Sequence, residues 1–252
     1  MWIVARYLPV APLSLKPASA TSSGGMTLLV PTPYAIKMAL LDAAIRLFGL
    51  AQGEQIFPHL RDCSVALALP DDLIVMKGFS KIRRLLKDRS NEQKAKVAHE
   101  RKHFPMQPTI AYREYVSYRE TLQLAISFPE QALPLSMSGQ LLSAINYFGK
   151  RGGFVQLMAP PTEVETLPER FVSLTASTTH AFHMNGTLQV LDDCHKSLTF
   201  QRANIYHPDR ITLGKERILH HVVLPYQLHR SSRGYSWYRF IQQEEQISWE
   251  IS

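Results

Sequence analysis

The sequence predicts an α+β fold, and three observations carry that prediction. Two segments with helical apolar spacing are set among runs rich in β-branched and aromatic residues. Their order along residues 1–158 is β-α-β-β-α-β, which is the ferredoxin-like, split βαβ arrangement also used by RNA-recognition modules. Apolar residues make up 45% of the 252, enough for a sizeable core, and an antiparallel sheet with two helices on one face would satisfy both amphipathic helices.

Residues 2–10, WIVARYLPV, read as the first strand, and the Ser-, Gly- and Pro-rich KPASATSSGG that follows reads as a loop. The first helix lies in VPTPYAIKMALLDAAIRLFG: Thr32 suits the cap, Pro33 the first turn and Gly49 the position just past the end. Ile36, Ala39, Leu40, Ala43 and Leu47 give it an apolar face. Met38, Leu41 and Ile45 widen that face, so neighbours are expected on more than one side. Residues 63–69 and 73–79 read as one long strand or two short ones around Asp71 and Asp72. Residues 109–128 read as a second long strand, with Leu122, Leu124 and Ile126 alternating toward one face. A second helix is expected over 138–149, with Leu141, Leu142, Ile145 and Phe148 at helical spacing, and a strand over 153–158. Residues 159–252 form a β-rich C-terminal extension with strand candidates at 171–176, 187–191, 217–225 and 235–241. Whether this extension is a second domain or enlarges the first stays open at this level.

Charge is concentrated. The chain carries +7 in all, and residues 81–105 hold nine cations against three acids, so this one insertion accounts for +6. Placed between the two long central strands, it is expected to project as a basic thumb over about 80–108, with Lys81, Arg83, Arg84, Lys87, Arg89, Lys94, Lys96, Arg101, Lys102 and His103 as phosphate contacts. A surface helix or loop is the plainer reading of such a run. A membrane-surface helix fits less well, because the segment has few bulky apolar residues.

A second basic point lies at a predicted helix-to-strand corner, INYFGKRGGFVQL. Lys150 and Arg151 bring positive charge, Gly152 and Gly153 let backbone amides approach an anion, and Phe154 offers a face on which a base can stack. A tight turn with a surface Lys-Arg pair is the alternative. The start of the first helix, with Thr32, Tyr34 and Lys37, is a further anion-binding candidate.

Other chemistries leave little trace. No G-x-S-x-G or G-x-x-x-x-G-K-[ST] is present, so neither a serine hydrolase nor a nucleotide hydrolase is expected. A zinc site from His180, His183, Cys194 and His195 is disfavoured, since adjacent Cys194 and His195 would face opposite ways on a strand. No metal and no cofactor are expected. Two cysteines are too few for a disulfide framework and suit a reducing cytoplasm. Residues 1–20 end in an A-x-A-like ASA, yet Pro9, Pro12 and Arg6 interrupt their apolar run and argue against a secretory signal. No stretch reaches the ~20 apolar residues of a membrane span.

The early strand, the VPTPYAIKMALLDAA helix, the basic insertion and the INYFGKRGGFVQL corner together resemble the CRISPR-associated RAMP proteins, in particular the "Cas five" family at the foot of type I Cascade. The resemblance covers about 160 residues at the level of motif order. It implies an RRM-like core that grips the repeat-derived 5′ handle of a guide RNA (crRNA). It also implies a subunit that caps the backbone filament, a thumb packed on the neighbouring backbone subunit, and docking to the large subunit near the PAM of the target DNA. By position, Lys81 to Lys102 would be the thumb, and Lys150 to Gly153 with the Thr32–Lys37 helix start would line the handle site. Some members cleave precursor guide RNA. No cleavage triad can be placed here, so a binding protein is expected rather than an enzyme. The alternative is a metal-independent endoribonuclease drawing on His99, His103, Tyr112 and Lys150.

Overall fold

The protein is described from a computed structural model covering residues 1–18, 20, 25–85, 106–129, 132–150, 152–175, 185–204, 208 and 210–241. In chain order its first half comprises β1 (Trp2–Pro9), α1 (Pro33–Phe48), α2 (Leu50–Asp62), β2 (Ser64–Ala68), β3 (Asp72–Leu85), β4 (Met106–Tyr118) and β5 (Leu122–Ser127). There follow α3 (Leu135–Ser143), β6 (Val155–Leu157), β7 (Thr162–Val164), β8 (Phe171–Ser173), β9 (Thr187–Cys194), α4 (Phe200–Ala203), β10 (Arg217–Leu224), β11 (Tyr226–Ser231) and β12 (Tyr235–Phe240). The architecture is mixed α/β, with mostly antiparallel sheets and few helices.

The central sheet runs β6-β1-β5-β2-β8, with β7 also paired to β1, and every pairing is antiparallel. Alternation places the strands: Ile3, Ala5 and Tyr7 of β1 are buried while Arg6 is exposed. The Tyr7 hydroxyl donates to the Leu142 carbonyl at 2.6 Å, and its ring meets Phe148 edge-on with centroids 5.6 Å apart. Strand β1 is thereby tied to α3 through a satisfied buried phenol.

Helix α1 has the expected ends. The Thr32 side chain accepts from the Ala35 amide at 3.2 Å, and Gly49 closes the helix at φ 85°, in the left-handed region that favours glycine. Ile36 and Leu40 are fully buried, each stabilising the fold by about 1.5–3 kcal/mol. The helix is covered by α2, α3 and β9, as its broad apolar surface requires. Helix α2 follows Gly49 at once and buries Ile56, Phe57 and Leu60.

Residues 63–79 follow the second of the two expected alternatives, two strands that part near Asp71, and the two lie in different sheets. Strand β2 ends at Ala68 in the central sheet, and β3 starts at Asp72 in a second sheet ordered β11-β12-β3-β4. Likewise the 109–128 run breaks at Arg119 and Glu120, leaving β4 in the second sheet and β5 in the central one. The hairpin β3–β4 stays in register from Leu73–Tyr118 to Leu85–Met106. At about 3.4 Å per residue the 13 residues of β4 span roughly 40 Å, and beyond the Met76–Tyr115 pair, where pairing to β12 ends, the hairpin continues as two strands alone. The expected thumb is thus a two-stranded arm over its described part, and residues 86–105 lie outside the described residues.

Helix α3 ends at Ser143, six residues before the end expected from sequence. Backbone pairing across the following turn takes over: Val155 N–H donates to Asn146 O, Phe148 N–H to Gly153 O, and Tyr147 bridges Phe154. Ile145 and Phe148 nevertheless reach the core. The C-terminal strands join both sheets, β7 and β8 in the central one and β11 and β12 in the second, while β9 and β10 pair as a ribbon. Tyr118 donates to Leu29 O at 2.6 Å, and Leu73, Val75 and Val116 beside it belong to the same core as β1 and α1.

Candidate nucleic-acid interface

A cleft of about 250 Å³ opens between the loop after β1, the N-terminus of α1, the corner after α3 and the start of β10. Lys16, Thr32, Tyr34, Tyr147, Lys150 and Arg217 are among its lining residues. Two regions singled out in the sequence, the start of α1 and the 149–154 corner, therefore meet in space. Gly149, at φ 71°, turns the chain into the cleft wall.

The charges in the cleft are unequal in kind. The Arg217 guanidinium stacks 4.2 Å over the Tyr34 ring, and its Nε donates to Asp192, whose side chain is 1% exposed. Most of its charge is balanced. Burial pushes the Tyr34 hydroxyl up to about 12 against the opposing pull of Arg217, so this phenol remains a hydrogen-bond donor at neutral pH. Lys16 and Lys150 have no carboxylate partner among the described residues. The Lys150 ammonium is held below the usual lysine value by burial, and by the charges of Arg113 and Lys16. Cations that repel one another at the mouth of a cleft are stabilised by an anion.

The corner differs from the sequence expectation in how its glycines act. The Gly153 amide already donates to Lys150 O at 3.0 Å, so it is committed to the turn. A Cβ at Gly153 would come within 2.9 Å of both Leu13 Cδ2 and the Phe148 carbonyl, so glycine is needed here for close approach of the chain to itself. Gly152, at φ 118° with open space around it, is the exposed one. Phe154 is half exposed beside the Tyr147 bridge and keeps an accessible ring face. Arg151 lies outside the described residues.

At the start of α1, Thr32 is buried and engaged as the cap. Lys37 does not face the cleft. It is 3% exposed, with Nζ 2.7 Å from Asp193 Oδ1 on β9, because the second turn of α1 packs on that ribbon. Its expected part in RNA contact is corrected to a structural ion pair. On the arm, Phe79, Lys81 and Arg83 are exposed on β3, as is Ile110 on β4. The Arg84 side chain and Lys87, Arg89, Lys94, Lys96, Arg101, Lys102 and His103 lie outside the described residues, as do His99, His180 and His183. Tyr112 donates to Glu114 Oε1 at 2.5 Å, and burial with that carboxylate lifts it to about 12. Cys194 is buried while His195 is exposed, with Nδ1 2.8 Å from Ser197 Oγ. Lys16 and Arg217 were not singled out in the sequence: one sits in a loop, the other opens a late strand, and nothing local marks either as a partner of Lys150.

No family model matches the chain. A curated relative named CRISPR-associated protein Cas5, from Archaeoglobus fulgidus, is 25% identical over 122 residues, which are 48% of this chain and 49% of the relative. The chain thus spans about half the length of that relative, and the similarity bears out the resemblance to the Cas five family of CRISPR-associated RAMP proteins. Among solved structures, a CRISPR protein from Archaeoglobus fulgidus aligns with 95% of this chain and 91% of its own at 11% identity and a TM-score of 0.44. A chain of the Type III-B Cmr-beta complex, described as bound to cognate target RNA and AMPPnP, aligns over 66% of each chain at 12% identity and a TM-score of 0.32. With scores below 0.5, neither superposition adds to what the strand pairings establish. Among the described residues, no helix is long and apolar enough to cross a membrane.

Proposed function

We propose that this chain is a subunit of a CRISPR ribonucleoprotein whose cleft holds the repeat-derived 5′ handle of the guide RNA, and that it binds without cleaving. The observation that carries the reading is the meeting of Lys16 and Lys150, both without a carboxylate partner among the described residues, with the α1 N-terminus and Tyr34 in one cleft. Cations, a helix N-terminus and a phenol donor suit phosphate and 2′-hydroxyl groups. The half-exposed Phe154 ring supplies a stacking face nearby.

The antiparallel order β6-β1-β5-β2, with α1 and α3 in contact, supports a ferredoxin-like, RRM-like core as the scaffold for this cleft. On the arm, Phe79 is 71% exposed and Ile110 67%, next to Lys81 and Arg83. This mixture favours packing against a neighbouring backbone subunit, with the chain capping the filament and docking to the large subunit near the PAM of the target DNA. Tyr112 keeps its proton at neutral pH and gives its hydrogen bond to Glu114, which makes it a poor base for cleavage.

The test uses fluorescence anisotropy of the full chain with a repeat-derived 5′-handle RNA and a scrambled RNA of equal length. The handle is expected to bind more tightly and to stay intact without divalent metal. Equal affinity for the two would remove handle recognition from the reading. Metal-independent cutting inside the repeat would replace it with the endoribonuclease alternative.

A further inference from the structure

We propose that the outer face of the β11-β12-β3-β4 sheet is a second nucleic-acid surface, a stacking platform for an unpaired strand. Directly paired residues share a face of an antiparallel sheet, which fixes its membership. Ile74 pairs with Trp237 and with Ser117, and Met76 pairs with Tyr235 and with Tyr115. The opposite face of the same strands carries Leu73, Val75 and Val116, which are buried. On the outer face Ile74 is 40% exposed and Met76 and Tyr115 37% each, so among the described residues no element covers them.

Charge decides the occupant. Arg113, Arg230 and Arg239 share this face, since they pair with Gly78, Trp237 and Asp72. Asp72 is the one carboxylate among these residues, and it is already engaged: it accepts from Trp237 Nε1 at 2.7 Å and lies 3.5 Å from Arg239 Nε. The Arg239 guanidinium stands 5.0 Å from the Trp237 ring. An apolar protein partner would desolvate the guanidinium groups of Arg113 and Arg230, which have no carboxylate partner among the described residues, without compensation. A single strand offers phosphates to the arginines and flat bases to Trp237, Tyr115 and Tyr235.

The platform also adjoins the cleft. Strand β4 is the sheet edge bridged by Leu13 through Val116, and Leu13 packs where a Gly153 side chain would stand. Arg113 of β4 is close enough to Lys150 for their charges to repel. One strand leaving the cleft past Lys150 would therefore reach the platform at Arg113. Only this path rests on the cleft reading; the platform stands on its own residues.

The test is photocrosslinking of the full chain to uridine-rich single strands carrying 4-thiouridine, or 5-iododeoxyuridine for DNA, with the crosslinked peptides mapped by mass spectrometry. Crosslinks at Trp237, Tyr235 or Tyr115 are expected. Their yield should fall about tenfold in Tyr115→Ala, the loss of one stacked base, and also in the surface variant Arg230→Glu. The stronger of the RNA and DNA arms identifies the guide or the target strand as the source. Crosslinks confined to residues 13–16 and 147–150 would overturn the platform and leave the cleft standing. Crosslinks on the sheet alone would do the reverse, and none at either place would overturn both. If the variants crosslink normally but release a co-purifying protein, the face is a protein-docking surface and the proposal fails.

Discussion

Lys37→Ala is expected to lower the free energy of unfolding by about 3–5 kcal/mol, because it leaves Asp193 as an uncompensated buried charge. The ammonium and the carboxylate are 3% and 6% exposed and 2.7 Å apart, and they join α1 to the β9–β10 ribbon. Asp193 Oδ1 also accepts from the Cys194 amide at 2.7 Å, while His220 Nε2 lies 3.5 Å from its other oxygen. The pair is thus part of a network whose loss is felt on two elements. Urea denaturation followed by circular dichroism measures the effect. The double variant Lys37→Met with Asp193→Leu should recover much of the loss, since both charges leave together. A single variant as stable as the wild type would mean that Lys37 is free to reach solvent, and would return it to the list of RNA contacts.

The paired substitution Lys16→Ala and Lys150→Ala is expected to weaken binding of the handle RNA roughly 10- to 100-fold at low salt, with the fold intact. Two lost phosphate contacts on a single strand should flatten the dependence of log affinity on log salt by about 1.4. Neither lysine makes an ion pair among the described residues, so stability should hardly change. Titration at several salt concentrations separates this outcome from a general loss of positive charge. A weakened affinity with an unchanged slope would point to altered cleft shape rather than to phosphate contacts.

How much of this was legible in the sequence depends on whether the signal was local. Helix α1 was readable because Thr32, Pro33 and Gly49 mark its ends and its apolar surface is broad. Helix α2 escaped notice because Gly53 and Pro58 interrupt a short and largely polar segment. Gly53 is there to admit Ile45, whose Cγ1 would lie 2.7 Å from a Cβ at that position, and only tertiary packing reveals this need. Residues 119–121 carry no Gly or Pro to mark the passage between sheets, so β4 and β5 read as one strand, whereas Asp71 and Asp72 had already left two short strands open over 63–79. The early end of α3 comes from hydrogen bonds between Asn146 and Val155 and between Phe148 and Gly153, partners that helical periodicity does not encode.

The candidate site divides in the same way. Lys150 and the α1 start were visible as local patterns of cation, glycine and cap. Lys16 and Arg217 are some 200 residues apart and meet in the cleft only through the fold. Lys37 carried the opposite lesson: a lysine in the second turn of a helix looks like a surface charge until its buried partner, 156 positions later, is seen.

The most direct measurement is to purify the tagged chain from its native host at moderate salt and sequence the RNA that accompanies it. The account predicts short RNAs that share one repeat-derived 5′ end. Absence of RNA, or RNAs with no common 5′ end, would contradict it.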